Sequence, residues 1–194
     1  MTQQEWLLSL FPGHGFFVEA GAHDGIGDSQ TKWLEDRGWD GICVEPSDAF
    51  AGLVANRRCR VDNRCLWSHN GQEVPFRQVA GNSIELSGIE ECFADHWDRS
   101  QGTTILKPTV TLHTLLLDHL APHIIQYLSL DTEGSEYAIL SAHDFYRYLF
   151  LAISVEHNGV DFNRRMLRGL LCNCCGYVVA QEGAIEDWFV HRSL

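Results

Sequence analysis

The chain has 194 residues, 45% hydrophobic and 21% charged, the composition of one ordinary globular domain spanning residues 1–194. Its formal net charge of −12 weighs against nucleic acid as a partner, because such binding rests on neutralising phosphates. No apolar run approaches the roughly 20 residues that span a membrane, and seven cysteines without framework spacing suit a reducing, cytoplasmic compartment.

The opening MTQQEWLLSLF lacks the basic region and cleavage site of a signal peptide and reads as a helix on the domain's edge. Residues 16–27 (FFVEAGAHDGIG) then run a short strand into a turn punctuated by Gly21, Gly25 and Gly27. Asp28 and Ser29 offer N-caps for a helix through Trp33, Leu34 and Arg37, stopped by Gly38. A strand, a glycine turn and a helix open a nucleotide-binding α/β fold, where glycines let backbone pass close to a ligand. A plain turn would carry the same glycines, so the spacing matters more. It is GxxxGxG, not the GxGxxG of a dinucleotide site, and Glu19 and Asp24 put carboxylates in and beside the loop. A pyrophosphate would be repelled there, whereas an ammonium and a sulfonium would be welcomed. Residues 41–45 (GICVE) read as a second strand ending in an acid placed for ribose hydroxyls. S-adenosylmethionine, with a ribose, no phosphate and a cationic end, matches this better than NAD does.

Residues 46–56 read as a helix with Ser47 or Asp48 as cap, and 59–61 as a third strand. Two apolar segments, 65–68 and 73–76, flank His69-Asn70-Gly71, and Asn-Gly in that setting signals a β-hairpin. Its first strand, Cys65 and Leu66, would lie where adenine rests. Residues 80–108 have poor periodicity and read as a long loop, of the kind that forms a lid or binding loop. A helix begins at Thr111, or at His113 with Thr114, and ends near Pro122. Residues 127–130 are a buried strand terminating in DTEGSE (131–136), with a helix through Ile139 and Leu140 after it. A strand over 149–155 ends in EHNG (156–159), a helix covers 162–174, and strands at 177–180 and 188–191 close the chain. Cys172, Cys174 and Cys175 read as small buried residues on that last helix rather than as zinc ligands. The expected fold is α/β: a doubly wound, mostly parallel seven-stranded sheet, a β-hairpin insertion and a C-terminal antiparallel strand pair.

In open α/β sheets, ligands bind outside the carboxyl ends of the strands. Four expected strand ends carry acids, at Glu19, Glu45, Asp131 and Glu156. One such acid could cap the helix after it, as Asp131 could; four together point to a site.

FVEAGAHDGIGDS, GWDGICVEPS, LSLDTEGSEYAIL and ISVEHNG, in that order, resemble the FkbM-type family of S-adenosylmethionine-dependent methyltransferases, within the class I methyltransferase fold. The resemblance covers most of residues 16–160, and DTEGSE is its most specific part. Many members carry a lysine two residues before the aspartate; here that position is Ser129. The resemblance implies that Glu19, Gly21 and Gly25 surround the methionine portion and Glu45 the ribose. The expected cofactor site also takes in Ala22, His23, Asp24, Ser29, Pro46, Cys65, Leu66 and Asp131. It implies a hydroxyl acceptor on a sugar, glycan, polyketide or similar metabolite, with S-adenosylhomocysteine as product. Asp131 is the first candidate for the base that takes the acceptor's proton, His157 the second, and Glu156 completes the catalytic set. Glu133 is read as a substrate contact or a cap, Glu136 as part of a solvated face. Asp131, Glu156 and Asn158 form an oxygen set that could hold Mg²⁺, an option not favoured here. Rival readings are an NAD-dependent oxidoreductase, a non-catalytic binding or regulatory module, and a nucleic-acid methyltransferase.

Overall fold

Strand β1 (Phe16–Ala20) is buried along its whole length, as a strand with parallel neighbours and covered faces must be. It pairs in parallel with β2 (Asp40–Val44) on one side and β8 (Ile124–Leu130) on the other. The computed structural model describes residues 1–27, 29–79, 81–92 and 102–194. In it, β3 (Arg60–Asp62), β9 (Leu149–Glu156), β10 (Tyr177–Glu182) and β11 (Glu186–His191) complete a seven-stranded sheet. The strand order is β10-β11-β9-β8-β1-β2-β3, and β11 runs antiparallel to both of its neighbours. The mostly parallel seven-stranded sheet and the closing antiparallel pair agree with the sequence reading.

The period-two alternation of the strands divides the core. Phe16, Val18 and Ala20 join Ile42, Val44, Leu128 and Leu130 in one cluster, with side chains of α4 (Leu112–Asp118), α5 (Glu136–Ser141) and α6 (Asp161–Arg168). Phe17, Cys43, Tyr127 and Trp188 belong to the other, with α1 (Gln3–Leu10), α2 (Lys32–Asp36) and α3 (Phe50–Asn56). Thr111 caps α4, its hydroxyl accepting from the Thr114 N–H at 3.2 Å. None of the described helices is long and apolar enough to cross a membrane.

The hairpin is not there. β4 (Cys65–Leu66) pairs in parallel with β7 (Thr103–Val110), and β5 (Glu73–Gln78) is antiparallel to β7 and to β6 (Gly88–Ile89). These four strands make a second sheet, β4-β7-β5-β6. The Asn-Gly signal fails because Asn70 is spent on tertiary bonds: its Oδ1 accepts from the Thr111 N–H and its Nδ2 donates to the Thr114 hydroxyl. The long loop expected over 80–108 is likewise partly structured, by a 3₁₀ segment (Gly81–Leu86), β6 and β7. β7 escaped notice because its first six residues are exposed or half-exposed and polar-rich, so no apolar alternation marks it. Ala80 and residues 93–101 of that stretch, and the Asp28 cap, lie outside the described residues. The α6 region continues as a π-helical turn (Gly169–Cys174) in which Cys174 is exposed and Cys172 half-buried, not the buried set expected.

Candidate functional site

The carboxyl ends of β1, β2, β8 and β9 open into a cavity whose far wall is the second sheet. Of the residues singled out in the sequence, Glu19, Gly21, His23, Glu45, Pro46, Cys65, Leu66, Asp131 and Glu156 line it. Ala22, Asp24, Gly25, Ser29 and His157 do not. Phe76, Ile84, Glu85, Ser87, Ile89, Ser129 and Glu133 also line it. Phe76 and Ile89 reach the site through a strand pairing that leaves no local pattern; Glu133 was legible within DTEGSE.

The glycine loop is built for the protein's own packing. Gly21 has φ +80°, and a Cβ there would be driven into the carbonyl oxygen of Asp131. Gly25 has φ +77°, and its Cβ would lie 2.6 Å from Cγ of Arg57. At both glycines the space a Cβ would need is filled by the protein itself, and of the two only Gly21 also lines the cavity. Gly21→Ala is expected to destabilise by about 1–3 kcal/mol or more through strain and overlap, read as a lowered melting temperature. Asp24 shapes the loop too: its Oδ1 accepts from the N–H groups of Ile26 (2.9 Å) and Gly27 (3.2 Å), and these bonds hold its pKa below the usual value.

Glu19 does not offer a free carboxylate. Its Oε1 accepts from the Gln30 N–H at 2.6 Å, and its Oε2 from Ser29 Oγ (2.9 Å), Thr31 Oγ1 (2.6 Å) and Arg57 Nη1 (3.1 Å). Glu45 is held more lightly, Oε2 by the His23 N–H (2.9 Å) and Oε1 by the Ser47 N–H (2.8 Å). One lone pair on each of its oxygens remains for a ligand in the cavity.

At the other pole, carboxylate oxygens of Asp131, Glu133 and Glu156 lie within 4.8 Å of one another. Glu156 Oε2 is buried and has no hydrogen-bond partner. Burial first, then the charge of Asp131 and a hydrogen bond with it, push the Glu156 pKa far above the ordinary carboxylate value. Beneath them Glu136 is buried, at 2% exposure, which corrects the solvated reading. The tight Asp131–Gly134 loop leaves N–H groups that need an acceptor, and Glu136 Oε1 takes those of Thr132 (2.7 Å) and Gly134 (3.1 Å).

His157 sits apart from Asp131. Its Nδ1 accepts from the Gly159 N–H at 3.1 Å, so Nε2 carries the proton and faces Asp187 Oδ1 at 3.7 Å. Only 2% exposed, its ring is lowered in pKa chiefly by burial. Asn158 does not complete an oxygen set either: it occupies a turn at φ +54° off the cavity lining, and the third acid beside Asp131 and Glu156 is Glu133.

Residues 19–179 match the family model described as the methyltransferase FkbM domain. The chain belongs to that family. No curated protein and no solved structure matches it. The FkbM match begins at Glu19, the penultimate residue of β1, and ends within β10, so every residue lining the cavity falls inside it. The four carboxyl strand ends of this methyltransferase domain are therefore its candidate active site.

Proposed function

We propose that the protein is an S-adenosylmethionine-dependent O-methyltransferase acting on a hydroxyl of a sugar, glycan or secondary metabolite. One observation carries this reading: a single cavity joins an apolar wall (Cys65, Leu66, Phe76, Ile89) to a cluster of carboxyl groups (Asp131, Glu133, Glu156), with Glu45 fixed in its lining. An apolar slot suits a base, Glu45 suits ribose hydroxyls, and an acidic pole suits a cationic sulfur end. The strand order, with β11 alone reversed, supports reading the fold as a doubly wound class I methyltransferase in a single domain.

When bound, S-adenosylmethionine supplies an electrophilic methyl group, so positioning can contribute up to roughly 7–11 kcal/mol. The chain's own task is then the acceptor's proton. With a proton kept on Glu156, Asp131 is the carboxylate of the pair and the group that takes it. His157 is buried and off the cavity lining, which leaves it out of that role. The acids facing the cavity disfavour anionic acceptors. Arg57, Arg58, Arg60 and Arg64, the densest basic group, are each paired with acids, which supports leaving nucleic acid aside. The trio Asp131, Glu133 and Glu156 could take a divalent cation, but one retained proton already relieves their repulsion. A metal-independent enzyme is the reading that follows.

Calorimetric titration with S-adenosylmethionine, S-adenosylhomocysteine and NAD, each with and without Mg²⁺, tests the cofactor. Saturable binding of both sulfur compounds at micromolar order, unaffected by Mg²⁺ and absent for NAD, is the expected result. Failure of both sulfur compounds to bind would remove the methyltransferase reading. Binding without turnover on any hydroxylated acceptor would favour the non-catalytic module.

A further inference from the structure

We infer that Arg57 is the positioning residue of the cofactor loop, setting the conformation of residues 21–27 and 29–31 through Glu19 and Ser29 without reaching the ligand itself. The inference rests on the cofactor reading above and extends it to a residue outside the cavity lining.

Arg57 follows the last residue of α3, and its side chain is fully buried. The guanidinium bonds to the strand end, to the loop at Gly25, Ser29 and Thr31, and to the helix after it. Nη1 donates to Glu19 Oε2 at the end of β1 (3.1 Å), to Ser29 Oγ (2.9 Å) and to the Gly25 carbonyl (3.4 Å). Nη2 donates to Thr31 Oγ1 (2.8 Å), and Nε to Glu35 Oε2 in α2 (2.9 Å). The plane also lies over the Phe17 ring, 5.5 Å from its centroid. One rigid plane thus ties strand end, loop and helix together, with the two N–H groups of Nη1 shared among three acceptors, which a lysine ammonium cannot do. Burial opposes ionising Glu35, yet the Arg57 and Arg58 bonds outweigh it and pull its pKa down to about 2. The ion pair is therefore intact throughout the physiological range.

The arrangement decides what Glu19 does. Glu19 lines the cavity, but its acceptor sites are taken by Gln30, Ser29, Thr31 and Arg57. Glu19 serves as the peg on which the loop hangs, and Arg57 fixes the peg. Gly25 has no Cβ because the Arg57 stem occupies that space. A ligand at the loop then meets a pre-set backbone rather than ordering one, which lowers the entropy lost on binding.

Two variants test this, each with two readouts. Arg57→Lys keeps the charge and most of the buried stem but loses the fork. Ser29→Ala removes the hydroxyl shared by Arg57 and Glu19 and leaves both ion pairs standing, so it covers the case in which Arg57→Lys fails to fold. For each, S-adenosylhomocysteine affinity is measured by calorimetry, and hydrogen exchange of amides 21–31 is measured without ligand. Expected are roughly tenfold weaker binding, faster exchange confined to the loop, and a rise in KM for the cofactor that exceeds any fall in turnover number. A merely structural role would lower the melting temperature and leave affinity well below that temperature unchanged; that result overturns the inference. So does faster loop exchange with wild-type affinity. If the wild-type protein binds no S-adenosylhomocysteine, the cofactor reading fails on its own, and the exchange data still decide whether Arg57 sets the loop.

Discussion

Asp131→Asn is expected to slow methyl transfer by roughly 10²–10⁴-fold while leaving S-adenosylhomocysteine affinity within a few-fold of wild type. The substitution is nearly isosteric, so the contact between the Asp131 carbonyl and Gly21 survives. The Asp131 N–H also keeps its bond to the Ala20 carbonyl at 3.1 Å, and the β1–β8 junction stays in place. What is lost is the negative charge and, with it, the ability to accept a proton from the incoming hydroxyl. Initial rates of S-adenosylhomocysteine release over a panel of hydroxylated acceptors, paired with calorimetry, check the two halves separately. Wild-type turnover in this variant would mean that the proton leaves by another route and that Asp131 is not the base. Loss of cofactor affinity along with turnover would instead make Asp131 a binding group.

The acids at the strand ends were legible because a parallel sheet repeats one geometry: each strand delivers its last residue to the same edge. Glu19, Glu45, Asp131 and Glu156 therefore met in space as their positions implied. Their roles were less legible, since role depends on partners from distant chain. Glu19 is saturated by Arg57, 38 residues on, and by a turn whose hydrogen bonds no periodicity encodes. The glycines signal close approach, but a sequence does not say of what: Asp131 closes on Gly21 and the Arg57 stem on Gly25. The second sheet was missed for a related reason. β7 is largely solvent-facing and β4 only two residues long, so their pairing shows in neither hydrophobic alternation nor turn chemistry. Glu136 looked solvated because a lone acid early in a helix usually is; only the coiled backbone of residues 131–134 creates the donors that bury it.

Glu156→Gln is expected to do the reverse of Asp131→Asn, although the same chemical change is made at an adjoining carboxyl group. Glu156 has an ordinary pKa of 4.5 in the unfolded chain and a much higher one in the fold, because burial and Asp131 both oppose its charge. The folded state therefore holds a proton that the unfolded state gives up. Its contribution to stability is complete below pH 4.5 and declines as pH rises, by about 1.36 kcal/mol per unit, until the folded value is reached. At pH 7 the accumulated loss is on the order of 3 kcal/mol, and glutamine, which has no proton to retain, avoids it. At roughly 2–4 °C per kcal/mol for a chain of this size, the variant should melt about 6–12 °C higher at pH 7. At pH 4.5 the two proteins should melt nearly together. Glu136 and Glu186 are shifted upward by burial as well, so the wild-type curve falls toward alkaline pH from several sources. The difference between the two curves isolates the share of Glu156. Turnover should stay within about tenfold of wild type, because the amide N–H₂ offers Asp131 the same donor that the protonated carboxyl offers. Melting curves across pH 4.5–8 decide the matter: an equal gain at every pH would mean relieved packing strain, and a loss at pH 7 would mean that Glu156 is ionised. In that last case Glu156 and Asp131 would exchange roles, and the base would have to be sought on β9 rather than β8.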